Sequence, residues 1–150
     1  MLLAFLISNK ERIRLKRVWQ SPHNITTTTL PDAHGIQQLL ISVSSRPRDA
    51  ASMLDHAGLT AVYRKYASLT FLALCDSDEN LFGVLEFIHH FVETLAAQFE
   101  NLAEIDIMFQ LDKVYLILDE MISNGCIVQT SKLGAIQAVA AMERGGLVVR

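Results

Sequence analysis

Residues 86–132 read EFIHHFVETLAAQFENLAEIDIMFQLDKVYLILDEMISNGCIVQTSK, and this stretch holds the strongest helical pattern in the chain. Together with the residues just before it, its apolar side chains recur at steps of three and four, as on one side of a helix. These apolar positions are Leu81, Leu85, Ile88, Val92, Leu95 and Phe99, and the opposite side carries Glu79, Glu86, Glu93 and Glu100. The pattern predicts one long amphipathic helix, capped at its start by the side-chain oxygens of Asp76-Ser77-Asp78.

A second helix is predicted after Asn101. Its apolar positions repeat the same spacing, at Ile107, Leu111, Val114, Leu118 and Met121. Asn124-Gly125 is predicted to end it, because both residues tolerate the left-handed backbone conformation of a helix C-terminus. Further apolar residues make this helix more hydrophobic than packing on one sheet requires: Met108, Phe109, Tyr115, Leu116 and Ile117. We therefore expect it to contact a second partner.

The rest of the chain combines strand patterns with further helices. Leu2 to Ile7 is a continuous apolar run, which predicts a strand buried on both faces. After a turn at Asn9-Lys10-Glu11, the next strand alternates core and solvent positions, with Ile13, Leu15 and Trp19 inward and the cations Arg12, Arg14 and Lys16 outward. The remaining elements predicted are a helix from Leu30 to Val43, strands at Ser52 to His56, Leu59 to Tyr66 and Leu69 to Leu74, and a last helix from about Ser131 to Glu143. This order predicts an α+β fold, a mostly antiparallel sheet with helices on both sides and an extra C-terminal helix.

Length and composition favour one globular domain. The chain has 150 residues, 51% of them hydrophobic, which is enough to bury a core without disulfides. We expect Cys75 and Cys126 to be reduced and buried. A formal net charge of −3 argues against nucleic acid as a partner. The opening MLLAFLISNK is too short for a membrane span and lacks the basic start of a signal peptide, so a cytoplasmic protein is predicted.

No motif supports catalysis, a metal or a cofactor. Asp76, Asp78 and Asn80 have the spacing of the first calcium-loop ligands, but the loop's Gly and its bidentate Glu are replaced by Leu81 and Phe87. A helix cap is the better interpretation. Glu86-Phe87-Ile88-His89 matches half of a di-iron motif, yet no second copy exists, so His89, His90 and Glu93 are interpreted as a solvated helix face. We predict that the protein is not an enzyme.

Two features do indicate binding. Lys10, Arg12, Arg14, Lys16 and Arg17, together with Arg64-Lys65, form either an anion-binding patch or an edge strand protected by charge, and composition does not choose between them. The apolar excess around Leu102 to Met108 is either core or a protein interface.

Three segments carry a family resemblance: VYRKYASL at 62–69, LEFIHHFVE at 85–93, and EIDIMF at 104–109 followed by Asp119-Glu120-Met121. They resemble the small, sigma subunits of the heterotetrameric adaptor protein complexes. Ile107-Met108-Phe109 and Asn124-Gly125-Cys126-Ile127-Val128 are most similar to the sigma chains of adaptor protein complex 4. The resemblance implies a longin-like fold with a five-stranded antiparallel sheet, here as a single domain over residues 1–143 with a disordered tail at 144–150.

The same resemblance implies partners and a place of action. A large adaptin would be the constitutive partner, alongside a medium (mu) subunit and a second large subunit, peripheral on trans-Golgi network or endosomal membranes and coated vesicles. Acidic dileucine sorting signals of membrane cargo would be the ligand. The leucines would occupy a pocket of Tyr66, Ala67, Leu69, Val92, Asn101, Leu102, Ile105 and Ile107, and Arg14 would contact the upstream acid. The alternatives are a coatomer zeta-type chain, or a free-standing longin module that binds a SNARE or a GTPase.

Overall fold

The computed structural model describes residues 1–19, 30–47, 52–99 and 102–128, together with residues 134, 137, 140 and 141. In chain order the elements are β1 (Leu2–Asn9), β2 (Arg12–Val18), α1 (Ala33–Ser45), β3 (Met53–His56), β4 (Leu59–Tyr66), β5 (Leu69–Cys75), α2 (Leu81–Gln98), α3 (Glu104–Phe109), α4 (Leu111–Met121), β6 (Ile122–Ser123) and β7 (Cys126–Ile127). Of the predicted C-terminal helix, only the isolated positions 134, 137, 140 and 141 belong to the described residues, and they are helical.

The main sheet has five strands in the order β2-β1-β5-β4-β3, and every neighbouring pair is antiparallel. One face packs against α2, α3 and α4, and the other packs against α1, which contributes Ile36, Leu39, Leu40 and Val43. Because helices cover both faces, β1 is buried on both, and Leu2 to Ile7 show no more than 9% exposure. The predicted α+β fold with a five-stranded antiparallel sheet is confirmed.

A bulge in β2 changes the predicted orientation of its side chains. Leu15 lies opposite Ile7 and Ile13 lies opposite Ser8, which leaves Arg14 as an extra residue between them. The extra residue reverses the alternation beyond it. Leu15 is therefore buried as predicted, whereas the prediction of Ile13 as a core residue is wrong, since it is 40% exposed.

Helix α2 buries Ile88, Val92 and Leu95 as predicted, but its buried face also extends to residues outside the predicted stripe. Val84, Phe87 and Phe91 are fully buried, while Leu81 and Leu85 are only partly buried. Phe91 packs edge-on against Phe5 of β1, with ring centroids 5.3 Å apart. Apolar residues occupy more than half of this helix, so more than one stripe of the same period fits the sequence, and packing against the sheet selects between them.

The predicted cap of α2 is also wrong. Asn80 caps the helix, and its side-chain oxygen accepts a hydrogen bond from the Gly83 backbone N–H. Asp76 lies outside the helix, where its carboxylate accepts from the backbone N–H of Asp78.

The second predicted helix is divided into α3 and α4 at Gln110. α4 ends at Met121, and Asn124-Gly125 form the turn of the short β6–β7 hairpin instead of the helix end. Both turn residues have positive φ, 49° and 79°. This conformation suits a two-residue hairpin as well as a helix terminus, so the residue types alone did not separate the two structures.

The two cysteines differ in environment. Cys75 is buried, and burial raises the pKa of its thiol to about 12, whereas the prediction that Cys126 is buried is wrong because it is exposed. Within the part of the chain that the structure describes, no group of His, Cys, Asp and Glu side chains is arranged to hold a metal ion. No helix among those residues is long and apolar enough to cross a membrane.

Candidate functional site

Arg14 is held at the start of α3. The bulge directs its side chain to this helix, where its Nε donates to a carboxylate oxygen of Glu104. The other oxygen of Glu104 accepts from the Asn9 side-chain amide. The hydrogen bond from Asn9 and the charge of Arg14 lower the pKa of Glu104, which keeps this carboxylate ionised. The cation predicted to receive a cargo acid therefore already has an internal carboxylate as its partner.

The apolar residues of the predicted pocket divide into a buried set and an exposed set. Leu69, Val92, Leu102 and Ile107 belong to one core cluster, with exposures of 1%, 9%, 7% and 0%. Tyr66, Ala67 and Ile105 are exposed. The buried set is therefore part of the core, and Leu69 and Ile107 are closed to solvent. Asn101 lies outside the described residues.

A cavity of about 510 Å³ opens between the end of β4 and the outer side of α2. Tyr66 and Val92 from the predicted pocket line it, together with Ala96. One wall is polar, since Arg64 Nη1 lies 2.9 Å from His89 Nδ1, and His89 Nε2 lies 2.9 Å from a carboxylate oxygen of Glu93. The cavity thus combines an apolar floor with a charged rim, as ligand sites commonly do.

Part of this cavity wall is not predictable from the sequence. The spacing of His89 and Glu93 indicates a pair on a solvated helix face, but not the cavity that the pair borders. The contact of Arg64 with His89 joins residues far apart in the chain, and it depends on α2 crossing β4.

The cation row of β2 is divided between two tasks. Arg17 is paired with Asp119 of α4 at 2.6 Å and lies over the Tyr115 ring. The Tyr115 hydroxyl donates to the Lys16 carbonyl and accepts from the Lys16 N–H. Because β2 is an edge strand of the described sheet, these contacts occupy backbone groups that another strand would otherwise pair with. Arg17 therefore belongs to edge protection, and Arg14 lies at the candidate cargo site.

The apolar excess of 102–108 is partly core and partly surface. Leu102 and Ile107 are buried, whereas Ile105, Met108 and Phe109 are 58%, 52% and 82% exposed. These three exposed side chains of α3 are called the α3 patch below. Among the extra apolar residues of the second predicted helix, Ile117 is fully buried, so it belongs to the core and not to a partner surface.

Comparison with known proteins then identifies the family. The model of the family described as the clathrin adaptor complex small chain matches residues 1–145. The chain belongs to this family. It is 44% identical over 100 residues to an AP-4 complex subunit sigma of Arabidopsis thaliana, covering 67% of this chain and 70% of that one. It is 35% identical over 145 residues to the human AP-4 complex subunit sigma-1, covering 96% and 97% of the two chains.

The fold comparison agrees with this assignment. A chain in a homology model of the full-length AP-3 complex in a stretched open conformation superposes with a TM-score of 0.72, at 24% identity and 97% coverage of this chain and 95% of that one. The likeness supports the fold. Together the comparisons confirm the predicted resemblance to adaptor sigma subunits, with those of AP-4 among the most similar. Membership in this family of adaptor subunits gives the chain a role in a vesicle-coat adaptor.

Proposed function

We propose that the chain is the sigma subunit of a heterotetrameric adaptor of the AP-4 type, folded as one domain over residues 1–143. Its partners are a large adaptin as the constitutive contact, a medium (mu) subunit and a second large subunit. The complex acts on the cytoplasmic side of trans-Golgi network or endosomal membranes. The names of the AP-4 sigma relatives support this proposal, and so does the α3 patch, which exposes apolar surface of the kind that a partner covers.

The subunit binds acidic dileucine signals of membrane cargo. The observation that carries this proposal is the position of Arg14, which contacts Glu104 in the first turn of α3. Glu104 directly precedes Ile105 of the predicted pocket. A guanidinium beside an aliphatic slot suits a peptide with one acid and two branched side chains. Tyr66 and Val92 line the open cavity and form the entrance of the proposed slot. Leu69, Leu102 and Ile107, buried in the same core cluster as Val92, are its proposed base residues.

Binding requires two local changes. The base residues have to separate enough to admit a side chain, because Leu69 and Ile107 are at most 1% exposed. The cargo carboxylate also has to share Arg14 with Glu104 or displace it. The first change involves side chains of β5 and α3, and the second involves side chains of β2 and α3.

Neutralising Arg14 tests the cargo proposal. In the co-purified complex, Arg14→Gln weakens binding of an acidic dileucine peptide, and the loss is largest at low salt because ionic strength screens a partly exposed ion pair. Arg14→Glu is a poorer test, since it would place two carboxylates together at Glu104. Lys16→Gln is the matched control, an exposed cation on the same strand whose side chain faces away from α3.

Titration of the peptide by calorimetry at low and high salt measures the effect. Equal affinities for wild type and Arg14→Gln at low salt would refute the role of Arg14. A free-standing longin module is the alternative, and purification separates the two. The adaptor proposal predicts that the chain aggregates alone and is solubilised by a large adaptin, whereas a free-standing module is soluble and monomeric without it.

A further inference from the structure

Two hairpin turns and the end of α1 meet at one end of the main sheet. β1 and β5 are neighbours with Ser8 opposite Thr70, so the turn after Asn9 lies beside the turn before Leu69. Ser44 of α1 reaches the same end. Together they enclose a second pocket of about 300 Å³, called the turn pocket below, which shares only Lys65 with the lining of the cavity at Val92.

This turn pocket is positively charged in a protein that is negative as a whole. Lys10 and Lys65 line it and no carboxylate does, while the chain has a formal net charge of −3. The Lys65 ammonium donates to the Arg46 carbonyl at 2.7 Å. Among the described residues the Lys10 ammonium has no ion-pair partner, and Lys10 also lines an adjoining depression together with Glu11 and Arg12. A cation is thus available for an external anion.

Hydroxyl groups complete the lining. Ser44, Ser68 and Thr70, which carry hydroxyl side chains, are among the residues that line the pocket. Ser8, the neighbour of Thr70 on the adjacent strand, is fully buried, and its hydroxyl has no hydrogen-bond partner. Ser8 is not part of the pocket lining, so the hydroxyl-bearing residues available to a ligand are Ser44, Ser68 and Thr70.

We propose that the turn pocket binds a phosphate monoester on the headgroup of an anionic lipid. Ammonium groups and hydroxyls are the groups that hold a phosphate, and the volume lies at the lower end of small-ligand pockets. The choice of a membrane rests on the proposed function. Ala67 and Leu69 line the turn pocket and also belong to the predicted cargo pocket, so a signal on the tail of a membrane protein brings the bilayer to this end of the sheet.

The test measures vesicle binding of the complex purified with its large subunit. The vesicles contain phosphatidylcholine alone, with phosphatidylserine, or with a phosphatidylinositol monophosphate at matched surface charge. A cation near an anionic surface contributes about 1 kcal/mol, so Lys10→Ala lowers phosphoinositide binding about fivefold. Lys16→Ala is the control, since this exposed cation lies opposite Leu6, further along β2 from the turn that carries Lys10.

We expect Lys10→Ala to lose phosphoinositide binding selectively, Lys16→Ala to retain it, and a soluble inositol phosphate to compete with the vesicles. The proposal would be overturned if the complex bound phosphatidylserine vesicles as well as phosphoinositide vesicles. It would also be overturned if Lys10→Ala lost no phosphoinositide binding, or lost only as much as Lys16→Ala. Binding of the soluble phosphate without vesicle binding would also overturn it, since the ligand would then be a free phosphate. Peptide titration on the same preparations distinguishes the two proposals, because the cargo proposal is tested by the effect of Arg14→Gln on peptide affinity and not by vesicle binding.

Discussion

Val92→Asp separates a ligand-facing position from ordinary core. Val92 and Val84 lie two turns apart on α2, but Val92 is 9% exposed and lines the 510 Å³ cavity, whereas Val84 is fully buried. Val84→Asp is therefore the matched control, with the same change of side chain on the same helix. Because only Val92 borders open space, we expect the two variants to differ strongly.

The magnitudes follow from burial. Either substitution loses most of the roughly 1.5–3 kcal/mol from burying a valine side chain. At Val84 the new carboxylate also has no route to solvent, which adds several kcal/mol and approaches the whole stability of a domain. At Val92 the carboxylate can turn into the cavity, so we expect a total cost of about 2 kcal/mol and a fall in Tm of about 4–8 °C.

Peptide binding reports the second effect of Val92→Asp. A carboxylate in the slot is left unpaired against the leucine side chains, at a cost of about 2–3 kcal/mol, or roughly 30- to 150-fold in Kd. The assay is titration of an acidic dileucine peptide into the co-purified complex, alongside a melting curve. If Val92→Asp assembles and melts as expected yet binds the peptide with undiminished affinity, the signal is recognised elsewhere and the pocket assignment is refuted.

Two further predictions concern Glu104 and the β6–β7 turn. Glu104→Gln frees Arg14, so the affinity for an acidic peptide rises a few-fold at neutral pH, and an unchanged affinity would show that Glu104 does not compete. The pKa of Glu104 is lowered in the folded state, so the stability that its charge contributes is present at neutral pH and is lost as pH falls through that lowered pKa. The melting temperatures of Glu104→Gln and wild type therefore converge in acid. Gly125→Ala costs about 2 kcal/mol or more in urea unfolding, because φ is +79° and a Cβ would lie 2.4 Å from the Leu2 carbonyl oxygen. Gly58→Ala, at φ +81° with nothing within 4 Å, shows the backbone cost alone, and equal losses at both glycines would contradict the contact with Leu2.

Much of the fold was predictable because local patterns specify local structure. Each main-sheet strand was located within one or two residues, from the unbroken apolar run at Leu2 to Ile7 and from short β-branched and aromatic segments between turn residues. The bulge at Arg14 was not predictable, since it depends on how β2 pairs with β1. The buried face of α2 was ambiguous for a related reason, because a helix with a wide apolar surface has several stripes and the sheet selects one.

The sequence by itself determined the family, the order of the elements and the chemical types present at the candidate site: a guanidinium at position 14 and aliphatic side chains around positions 92–107. Tertiary structure alone decided how these groups are used. It paired Arg14 with Glu104, Arg17 with Asp119 and Arg64 with His89, each across a long stretch of chain. It also buried Leu69 and Ile107 while leaving Phe109 exposed. The reason is physical: charge and hydrophobicity belong to a residue, but burial and pairing belong to the packed elements around it, and those elements come together only when the sheet forms.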